Sequence, residues 1–392
     1  MMHTLLAATA AESDGFFAWI NALFVEQSWP KAVVLVLAVG NVVPLLVSAL
    51  VWAERRGSAL IQDRLGPNRC GPFGVFQSFA DLAKFLFKED VIPGHVNKPI
   101  YLLAPAIAVI PPLVALAFVP FGANVFIADV DTGILAAFAV TSLHVYAISL
   151  GGWASNSKFP LLGGVRASAQ MISYEIALGL SALGVFIIVG DLRLISVVEM
   201  QTDGWMIGAG ETLRSAGEWT RLFDWNIFKQ PLGALIFMIA GFAETNRHPF
   251  DMPEAESELA AGFHAEYSSM KFALFFLGEY AAMVVFSSLF VVLYLGGWTL
   301  FGLENVLSDW VTSYGAENAG WINWASVAEG FLHVGIFFSK TLVLLLFFIW
   351  VRWTLPRFRY DQLMRLGWVR LLPLSLAWLV VTVIGVAIVR GL

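Results

Sequence analysis

Long apolar runs are the feature that most constrains how this chain can fold. Segments of about 20 mostly apolar residues recur along its 392 residues, and about 20 helical residues cross the hydrocarbon core of a bilayer. Because that core supplies no water to the backbone, we expect such segments to cross it as helices. With 58% hydrophobic and 13% charged residues, the sequence predicts an all-α, polytopic helical membrane protein with a single membrane domain over residues 1–392.

Eight segments qualify as transmembrane helices. The spans are predicted at about 31–53, 99–119, 132–152, 165–189, 230–246, 271–298, 329–353 and 370–389. The loops predicted to face the cytoplasm are 54–98, 153–164, 247–270 and 354–369. The first 17 residues lack both a Lys or Arg and a long apolar core, so no cleaved signal peptide is predicted there.

Positive charge assigns the loops to the two sides of the membrane. Sixteen of the 23 Lys and Arg residues lie in 54–98, 153–166, 243–271 and 351–370. The connections at 120–131 and 299–328 contain none, and the segment at 190–229 is long enough that its charges orient the chain weakly. The positive-inside rule therefore predicts that the four charged stretches are cytoplasmic and that both termini lie on the periplasmic side.

An amphipathic helix is predicted in the first cytoplasmic loop. Its apolar residues follow helical spacing at Phe76, Phe79, Ala80, Ala83 and Leu86, and its polar residues take the opposite face at Gln77, Asp81, Lys84 and Lys88. Such a helix is typical of a membrane interface. Two interpretations stay open: a surface helix whose lysines contact lipid headgroups, or one wall of an entrance for an amphipathic, lipid-soluble substrate.

The stretch from Ala243 to Tyr280 is acidic although it joins two apolar segments. Against Arg247 and Lys271 it contains seven carboxylates, at Glu244, Asp251, Glu254, Glu256, Glu258, Glu266 and Glu279. Helix capping explains Asp251 and Glu254 but not the others. Like charges so close together raise one another's pKa values, and carboxylates that titrate near neutral pH are what a proton relay needs.

Three charges are predicted deep inside the spans. Glu175, Glu279 and Lys340 lie roughly 12–16 Å from the cytoplasmic edge at 1.5 Å rise per residue. Insertion scales charge about 2.5–3.5 kcal/mol for such a group at the bilayer centre. The sequence allows a buried ion pair such as Lys340–Glu175, a proton path through titratable carboxylates, or both. His144 in the third span is predicted to be an ordinary core residue.

Missing motifs restrict the chemistry of the chain. A single Cys cannot hold an iron–sulfur cluster, and the scattered His residues show no haem or zinc spacing. No GxGxxG, P-loop or catalytic triad occurs. No metal ion and no covalent cofactor is therefore predicted, and any redox chemistry must come from a partner. In the last cytoplasmic loop, Arg357, Arg359 and Asp361 surround two aromatic residues. Two interpretations stay open: the basic residues of this loop reflect topology alone, or the aromatic residues between them stack on a planar headgroup.

Three long motifs carry a family resemblance. They read ERRxxxxxQDRLGPNRxGPxGxxQxxAD from residue 54, AETNRxPFD with EAESELxxGFxxEYS and EY from residue 243, and WTLPRFRYDQLM from residue 353. In this order, and over residues 31–391, the chain resembles the H-subunit family of respiratory complex I, the proton-pumping NADH:quinone oxidoreductase. Cys70, His248 and Met252 occupy positions that we regard as variable, and the 190–229 segment carries no motif.

The resemblance implies a subunit that forms the ubiquinone access tunnel beside the hydrophilic arm and begins the path to the proton pumps. It implies no redox centre in this chain and no catalytic residue in isolation. The residues implied at the quinone tunnel and arm interface are Arg55, Gln62, Arg64, Arg247, Phe250, Arg357, Arg359 and Asp361. Those implied in the proton or coupling path are Glu175, Glu244, Asp251, Glu254, Glu256, Glu258, Glu266, Glu279 and Lys340.

The resemblance also implies partners and a location. Ubiquinone is the implied substrate, while FMN, NAD and iron–sulfur clusters belong to partner subunits. The implied partners are the cluster-bearing and quinone-site subunits of the hydrophilic arm, small membrane subunits, antiporter-like subunits and membrane lipids, with no nucleic acid. The expected location is a bacterial inner (plasma) membrane rather than a mitochondrial one.

Three alternatives remain at this point. The same subunit type occurs in membrane-bound hydrogenase or formate-linked complexes that use no quinone, but the GPNR and PRFRYDQLM motifs disfavour them. A stand-alone ion transporter is disfavoured because the chain shows no inverted repeat with paired broken helices. A passive membrane anchor predicts that the buried glutamates can be neutralised without consequence.

Overall fold

The computed structural model describes residues 29–202, 224–253, 261–300 and 322–390. In this part of the chain the regular structure is helical, apart from one isolated bridge between Gly122 and Val125. The α-helices are α1 Trp29–Ile61, α2 Gln77–Phe87, α3 Lys98–Ala115, α4 Gly133–Ala154, α5 Lys158–Val189, α6 Leu194–Thr202, α7 Asn226–Lys229, α8 Pro231–Glu244, α9 Ser269–Tyr294, α10 Ile322–Thr354, α11 Tyr360–Arg365 and α12 Leu372–Arg390. A π-helical turn, Leu366–Leu371, joins the last two.

Seven helical segments among the described residues are long and apolar enough to cross a membrane. They are Lys31–Ile61, Lys98–Phe118, Gly133–Ala154, Lys158–Val189, Ser269–Tyr294, Ala328–Thr354 and Tyr360–Arg390. The predicted fifth span corresponds to α8, whose 14 residues give a helix of about 21 Å, short of a full crossing. The all-α, polytopic class is therefore confirmed, whereas the number eight and the sides of the termini stay predictions.

Helix ends differ from the predicted span ends. The first helix continues eight residues past residue 53, and α5 begins seven residues before residue 165. Hydropathy marks where the apolar stretch ends, but Glu, Arg and Lys are good helix formers, so a helix continues through them. Glu54 therefore lies in the last turns of α1, where it pairs with Arg352 of α10.

Helix α9 occupies the centre of the fold. It packs against α1, α2, α3, α8 and α10, and 78% of its apolar segment is buried. The corresponding shares are 17% for α1 and 11% for the segment that contains α12, so those two helices lie at the outside. The close crossing of α9 and α3 depends on Gly278, because a Cβ there would lie 2.4 Å from the carbonyl oxygen of Ala108.

The predicted amphipathic helix is present as α2. Ser78 on its inner side donates a hydrogen bond of 2.7 Å to the carbonyl of Ser48, and Asp81 pairs with Arg55 of α1 at 2.5 Å. Its apolar side is open: Phe79 is 43% and Leu86 62% exposed. An exposed apolar face suits a lipid interface, and its location at that interface stays a prediction.

Candidate functional site

A buried cluster of paired charges lies where α1, α9 and α10 meet the segment after α8. Its hub is the Glu54 carboxylate, which is 7% exposed. It accepts a hydrogen bond from Arg352 of α10 and one of 2.5 Å from the Tyr280 hydroxyl of α9. Arg247 Nη1 lies 3.7 Å from the same carboxylate. We call Glu54, Arg247, Glu279, Tyr280 and Arg352 the junction cluster.

Arg247 links the two carboxylates of the junction cluster. Its Nε atom lies 2.9 Å from Glu279 Oε1, and this contact is an ion pair rather than a hydrogen bond, because the N–H does not point at the oxygen. Its guanidinium also stacks over the Tyr280 ring, 4.1 Å from the centroid, a favourable cation–π geometry. Two guanidinium groups thus balance two carboxylates in a region that water scarcely reaches, which is the condition for charges to be tolerated there.

The segment that carries Arg247 is held by Gln170 of α5. This side chain is fully buried, and its amide nitrogen donates to the carbonyl oxygens of Ala243 at 2.8 Å and Phe250 at 2.7 Å. Asn246 between them adopts φ of +50°, a value that Asn tolerates better than most residues, and it reverses the chain at the end of α8. The turn therefore fixes Arg247 against α9.

Aromatic stacking attaches the last predicted cytoplasmic loop to the acidic stretch. The rings of Phe250 and Phe358 are stacked with centroids 5.5 Å apart, and Tyr174 of α5 packs on Phe250 at 5.8 Å. The Phe358 amide donates to the Pro249 carbonyl at 3.3 Å. Because Phe358 is 39% exposed, one side of this stack is open to a further planar group.

Beside the stack, Asp251 pairs with Arg357. Arg357 Nη2 donates to Asp251 Oδ2 at 2.8 Å and lies 3.4 Å from His248 Nε2, which is 3.6 Å from the same oxygen. Burial raises the pKa of Asp251 above its ordinary value, against the lowering effect of Arg357 and Arg352. Burial and the same arginines lower the pKa of His248 to about 4, so its ring is neutral at pH 7.

The predicted proton-path carboxylates are distributed along the α5, α8 and α9 region. Glu244 at the end of α8 is 8% exposed and lies close enough to Glu175 of α5 for their charges to repel. The Glu279 carboxylate interacts electrostatically with four charged groups: Arg247, Arg352, Asp251 and Glu54. Glu266 is half-buried, and its carbonyl accepts a hydrogen bond from Tyr101. Glu254, Glu256 and Glu258 lie outside the described residues.

A small cavity of about 10 Å³ adjoins Glu279. It is lined by His144, Ile148, Asn246, Phe263, Phe275 and Glu279. This volume is close to what one water molecule needs, and three of the lining side chains are polar. His144 Nδ1 lies 3.1 Å from the Ala108 carbonyl, so that nitrogen donates and Nε2 is an acceptor. His144 is therefore a buried residue with a backbone hydrogen bond, as expected of a core histidine, that also lines this cavity.

Lys340 lies apart from the junction cluster. Its ammonium group donates to the backbone carbonyls of Leu295, Gly297 and Thr299 at the C-terminal end of α9, and it faces the Trp225 ring at 4.3 Å. Glu175, the partner that the sequence allowed, is not among its contacts. Sixteen residues separate Glu279 from Leu295, about 24 Å along a helix axis.

The predicted tunnel residues separate into two groups. Arg247, Phe250 and Arg357 come together next to Asp251. The others are exposed: Arg55 pairs with Asp81, and Gln62, Arg64, Arg359 and Asp361 lie on the loop and helix surfaces. Their exposure is compatible with an interface to another subunit and does not test it.

Sequence reasoning missed several members of this site. Glu54, Arg352, Tyr280 and Gln170 were not among the predicted site residues. Glu54 and Arg352 do carry one usable signal, because both lie at the predicted cytoplasmic ends of their spans with opposite charge. Gln170 carries none, since a lone Gln in an apolar helix does not indicate its partner.

The fold and the site define a class. Long apolar helices surround buried, paired charges, and no group of His, Cys, Asp or Glu that could hold a metal ion occurs among the described residues. This is a polytopic membrane protein with paired charges buried between its apolar helices. The profile of the NADH dehydrogenase family matches residues 32–383. The chain belongs to this family, as the motifs predicted.

Curated relatives specify the family further. "NADH-quinone oxidoreductase subunit 8" of Rhodothermus marinus is 47% identical over 348 residues, which are 89% of this chain and 95% of the relative. The H subunit of the NADH-quinone oxidoreductase of Salinibacter ruber is 44% identical over 89% of this chain and 94% of its own. The protein of the same name from Polaromonas naphthalenivorans is 43% identical over 90% of both chains. The family is therefore that of the H subunits of complex I, an oxidoreductase.

Proposed function

We propose that this chain is the membrane subunit of a proton-pumping NADH:quinone oxidoreductase that admits ubiquinone and couples its reduction to proton movement. The observation that carries the proposal is the junction cluster. It is a buried, charge-balanced network that joins α1, α9, α10 and the segment after α8. A passive anchor has no need of such a network, because an apolar replacement of buried ion pairs is often as stable.

The aromatic stack is the proposed quinone side. A planar headgroup has a partner in the open face of Phe358, and Arg357 offers N–H donors beside it. Offset stacking of aromatic rings contributes about 0.5–1.5 kcal/mol beyond buried area. The exposed face of α2 forms the proposed lipid-side entrance, and the exposed Arg55, Arg64 and Arg359 form the proposed surface for the hydrophilic arm.

The coupling step is proposed to pass from Asp251 to Glu279. A change of charge near Asp251 alters the electrostatic field on Arg357 and Arg352. The Glu279 carboxylate interacts electrostatically with both Asp251 and Arg352. Charges 4 Å apart at an effective dielectric of 20 interact by about 4 kcal/mol. The pairs Arg357–Asp251 and Arg247–Glu279 lie within that distance, so a change of charge on one member is enough to shift the protonation equilibrium of its partner. Glu244 and Glu175 are proposed to continue the path.

The partners follow from the same proposal. FMN, NAD and iron–sulfur clusters belong to the subunits of the hydrophilic arm, and the proton path continues into small and antiporter-like membrane subunits. We place the complex in a bacterial inner membrane. Ubiquinone is the proposed substrate, and lipids surround the outer helices α1 and α12.

Glutamine replacement of the path carboxylates tests this function. In the assembled complex, Glu175→Gln and Glu244→Gln should both depress quinone-linked NADH oxidation and proton uptake into membrane vesicles. Glu89→Gln is the matched control, because Glu89 is exposed in the loop after α2. Rates equal to those of the control in both variants would exclude a proton path through these residues. Ion flux through the isolated chain in liposomes would instead favour a stand-alone transporter.

A further inference from the structure

His248 lies within the site although its position in the motif is one that we regard as variable. Its Nε2 atom is 3.6 Å from Asp251 Oδ2, and both atoms face the same nitrogen of Arg357. Because Arg357 can only donate, Nε2 is an acceptor, and the ring proton is on Nδ1. Nδ1 is buried and has no hydrogen-bond partner within the described residues.

We propose that His248 and Asp251 form a two-site proton acceptor, in which one acidic proton passes between Asp251 Oδ2 and His248 Nε2. The O–H bond of the protonated carboxyl breaks and an N–H bond forms on the ring. The carboxylic acid and neutral imidazole become a carboxylate and an imidazolium, so the total charge is unchanged and no other reactant is needed. This inference rests on the proposed function, because it gives His248 a role in the same coupling path.

The geometry suits such a transfer. Hydrogen-bonded acid–base pairs work at about 2.6–3.2 Å, and catalytic contacts are often longer in the absence of substrate and tighten in the working complex. The Asp251 side chain is 9% exposed and that of His248 is 23% exposed. Bulk water therefore competes weakly for the proton, while His248 retains one partly open side.

Burial and the surrounding charges together move the pKa values of His248 and Asp251 toward each other. The groups that face His248 are Arg357 from the last loop, Arg352 from the end of α10, Arg247 from its own segment, and Asp251. Burial and the three arginines lower the pKa of His248 to about 4, whereas burial raises that of Asp251 above its ordinary value of 3.8. The pKa of His248 is lowered and that of Asp251 is raised, so the two move toward each other from their ordinary values, which reduces the free-energy cost of passing the proton between them.

The consequence for coupling is a change in the charge of Asp251 without a change in the charge of the pair. When His248 holds the proton, Asp251 is a carboxylate that binds Arg357 fully. When Asp251 carries the proton, its attraction for the Arg357 guanidinium weakens. The charge of Asp251 acts electrostatically on the Glu279 carboxylate of α9. The position of one proton in the Asp251–His248 pair therefore changes the electrostatic environment of Glu279.

The test replaces His248 in the complete complex. Gln at this position accepts a hydrogen bond from Arg357 but cannot carry an acidic proton. We expect H248Q to lower quinone-linked NADH oxidation about tenfold, below the about 10²–10⁴-fold contribution of a sole acid–base group, because Asp251 remains. We also expect its solvent deuterium isotope effect to rise above that of the wild type, because proton delivery becomes limiting.

The controls separate this inference from the proposed function. H95Q is the matched variant, since His95 is exposed in the loop before α3. Every quinone-linked rate is divided by the ferricyanide reductase rate of the same sample, which counts assembled complex, and H248N repeats the measurement with a shorter amide. Wild-type rate and isotope effect in H248Q and H248N, with activity lost in Asp251→Asn, would overturn the role of His248 alone. Wild-type behaviour in Asp251→Asn as well would overturn the coupling path.

Discussion

The Glu54 carboxylate gives the sharpest prediction, because it accepts hydrogen bonds from Arg352 and Tyr280 and forms an ion pair with Arg247. Glu54→Gln keeps the shape of the side chain and removes its charge. Arg352 and Arg247 then lose a common counterion, and the Tyr280 hydroxyl loses a charged acceptor. We expect the variant complex to assemble but to be less stable, and its quinone-linked turnover to fall because Glu279 becomes the only carboxylate in the junction cluster.

The magnitude follows from the distances and the burial. Opposite charges 3.7 Å apart attract by about 4 kcal/mol at an effective dielectric of 20. Removing the charge of one partner of a buried ion pair lowers the free energy of unfolding by about 3–5 kcal/mol. The Arg352 side chain is 25% exposed, so water recovers part of this loss and about 3 kcal/mol is the expected net effect. If that loss appears in the barrier to unfolding, the half-life of the complex at a fixed temperature shortens about a hundredfold.

A double-variant cycle distinguishes charge imbalance from lost packing. The half-life of quinone-linked activity at a fixed elevated temperature is measured for E54Q, Arg352→Gln, the double variant and the exposed control Glu89→Gln. Replacing both members of a buried pair by neutral groups is often close to neutral, so the double variant should be more stable than either single variant. Additive losses in the double variant, or an E54Q half-life equal to that of the control, would refute the reasoning.

Three further predictions concern other parts of the site. Arg247→Lys should lower turnover at least tenfold although the charge is kept, because an ammonium cannot span Glu54 and Glu279 while stacking on Tyr280; a wild-type rate would contradict the geometry. Phe358→Ala should raise the KM for quinone about twofold to tenfold with a smaller change in kcat, from the loss of about 0.5–1.5 kcal/mol of stacking, and steady-state kinetics with a short-chain quinone measure this. Burial lowers the pKa of His264 to about 4. The contribution of the neutral ring to the free energy of unfolding is therefore complete above pH 6.5 and decreases by up to about 3 kcal/mol as the pH falls toward 4. Thermal inactivation of His264→Phe should depend less on acid pH than that of the wild type, and an unchanged pH profile would exclude His264 as the cause of the acid dependence.

Local patterns predicted the parts of this fold that local patterns control. The spacing of Phe76, Phe79 and Leu86 predicted the helix α2, and the hydropathy runs located the long apolar helices. Their ends were less accurate, because hydropathy changes at the membrane edge while helical hydrogen bonding continues through Glu54 to Ile61. The predicted fifth span, 230–246, nearly coincides with α8, whose 14 residues make it shorter than the other apolar helices.

The site was predicted only where charge is conspicuous in one stretch of sequence. Arg247, Asp251 and Glu279 stand out because they interrupt or adjoin apolar runs. Glu54, the partner of Arg247, is 298 residues away from Arg352 and 226 from Tyr280 in the sequence. No local pattern encodes contacts across such separations. Neither does a local pattern show that Lys340 turns toward backbone carbonyls rather than toward Glu175, because a carbonyl acceptor exists at every residue of the chain.

Two contacts of α9 have a mechanical consequence. Glu279, near the middle of the helix, is paired with Arg247, and about 24 Å further along the carbonyls that follow its C-terminal end bind the Lys340 ammonium. A slide of one helical residue, 1.5 Å, would stretch both ties at once, and the tight crossing at Gly278 leaves α3 no room to follow. The helix α9 is therefore held at two points along its length, by the segment after α8 and by α10.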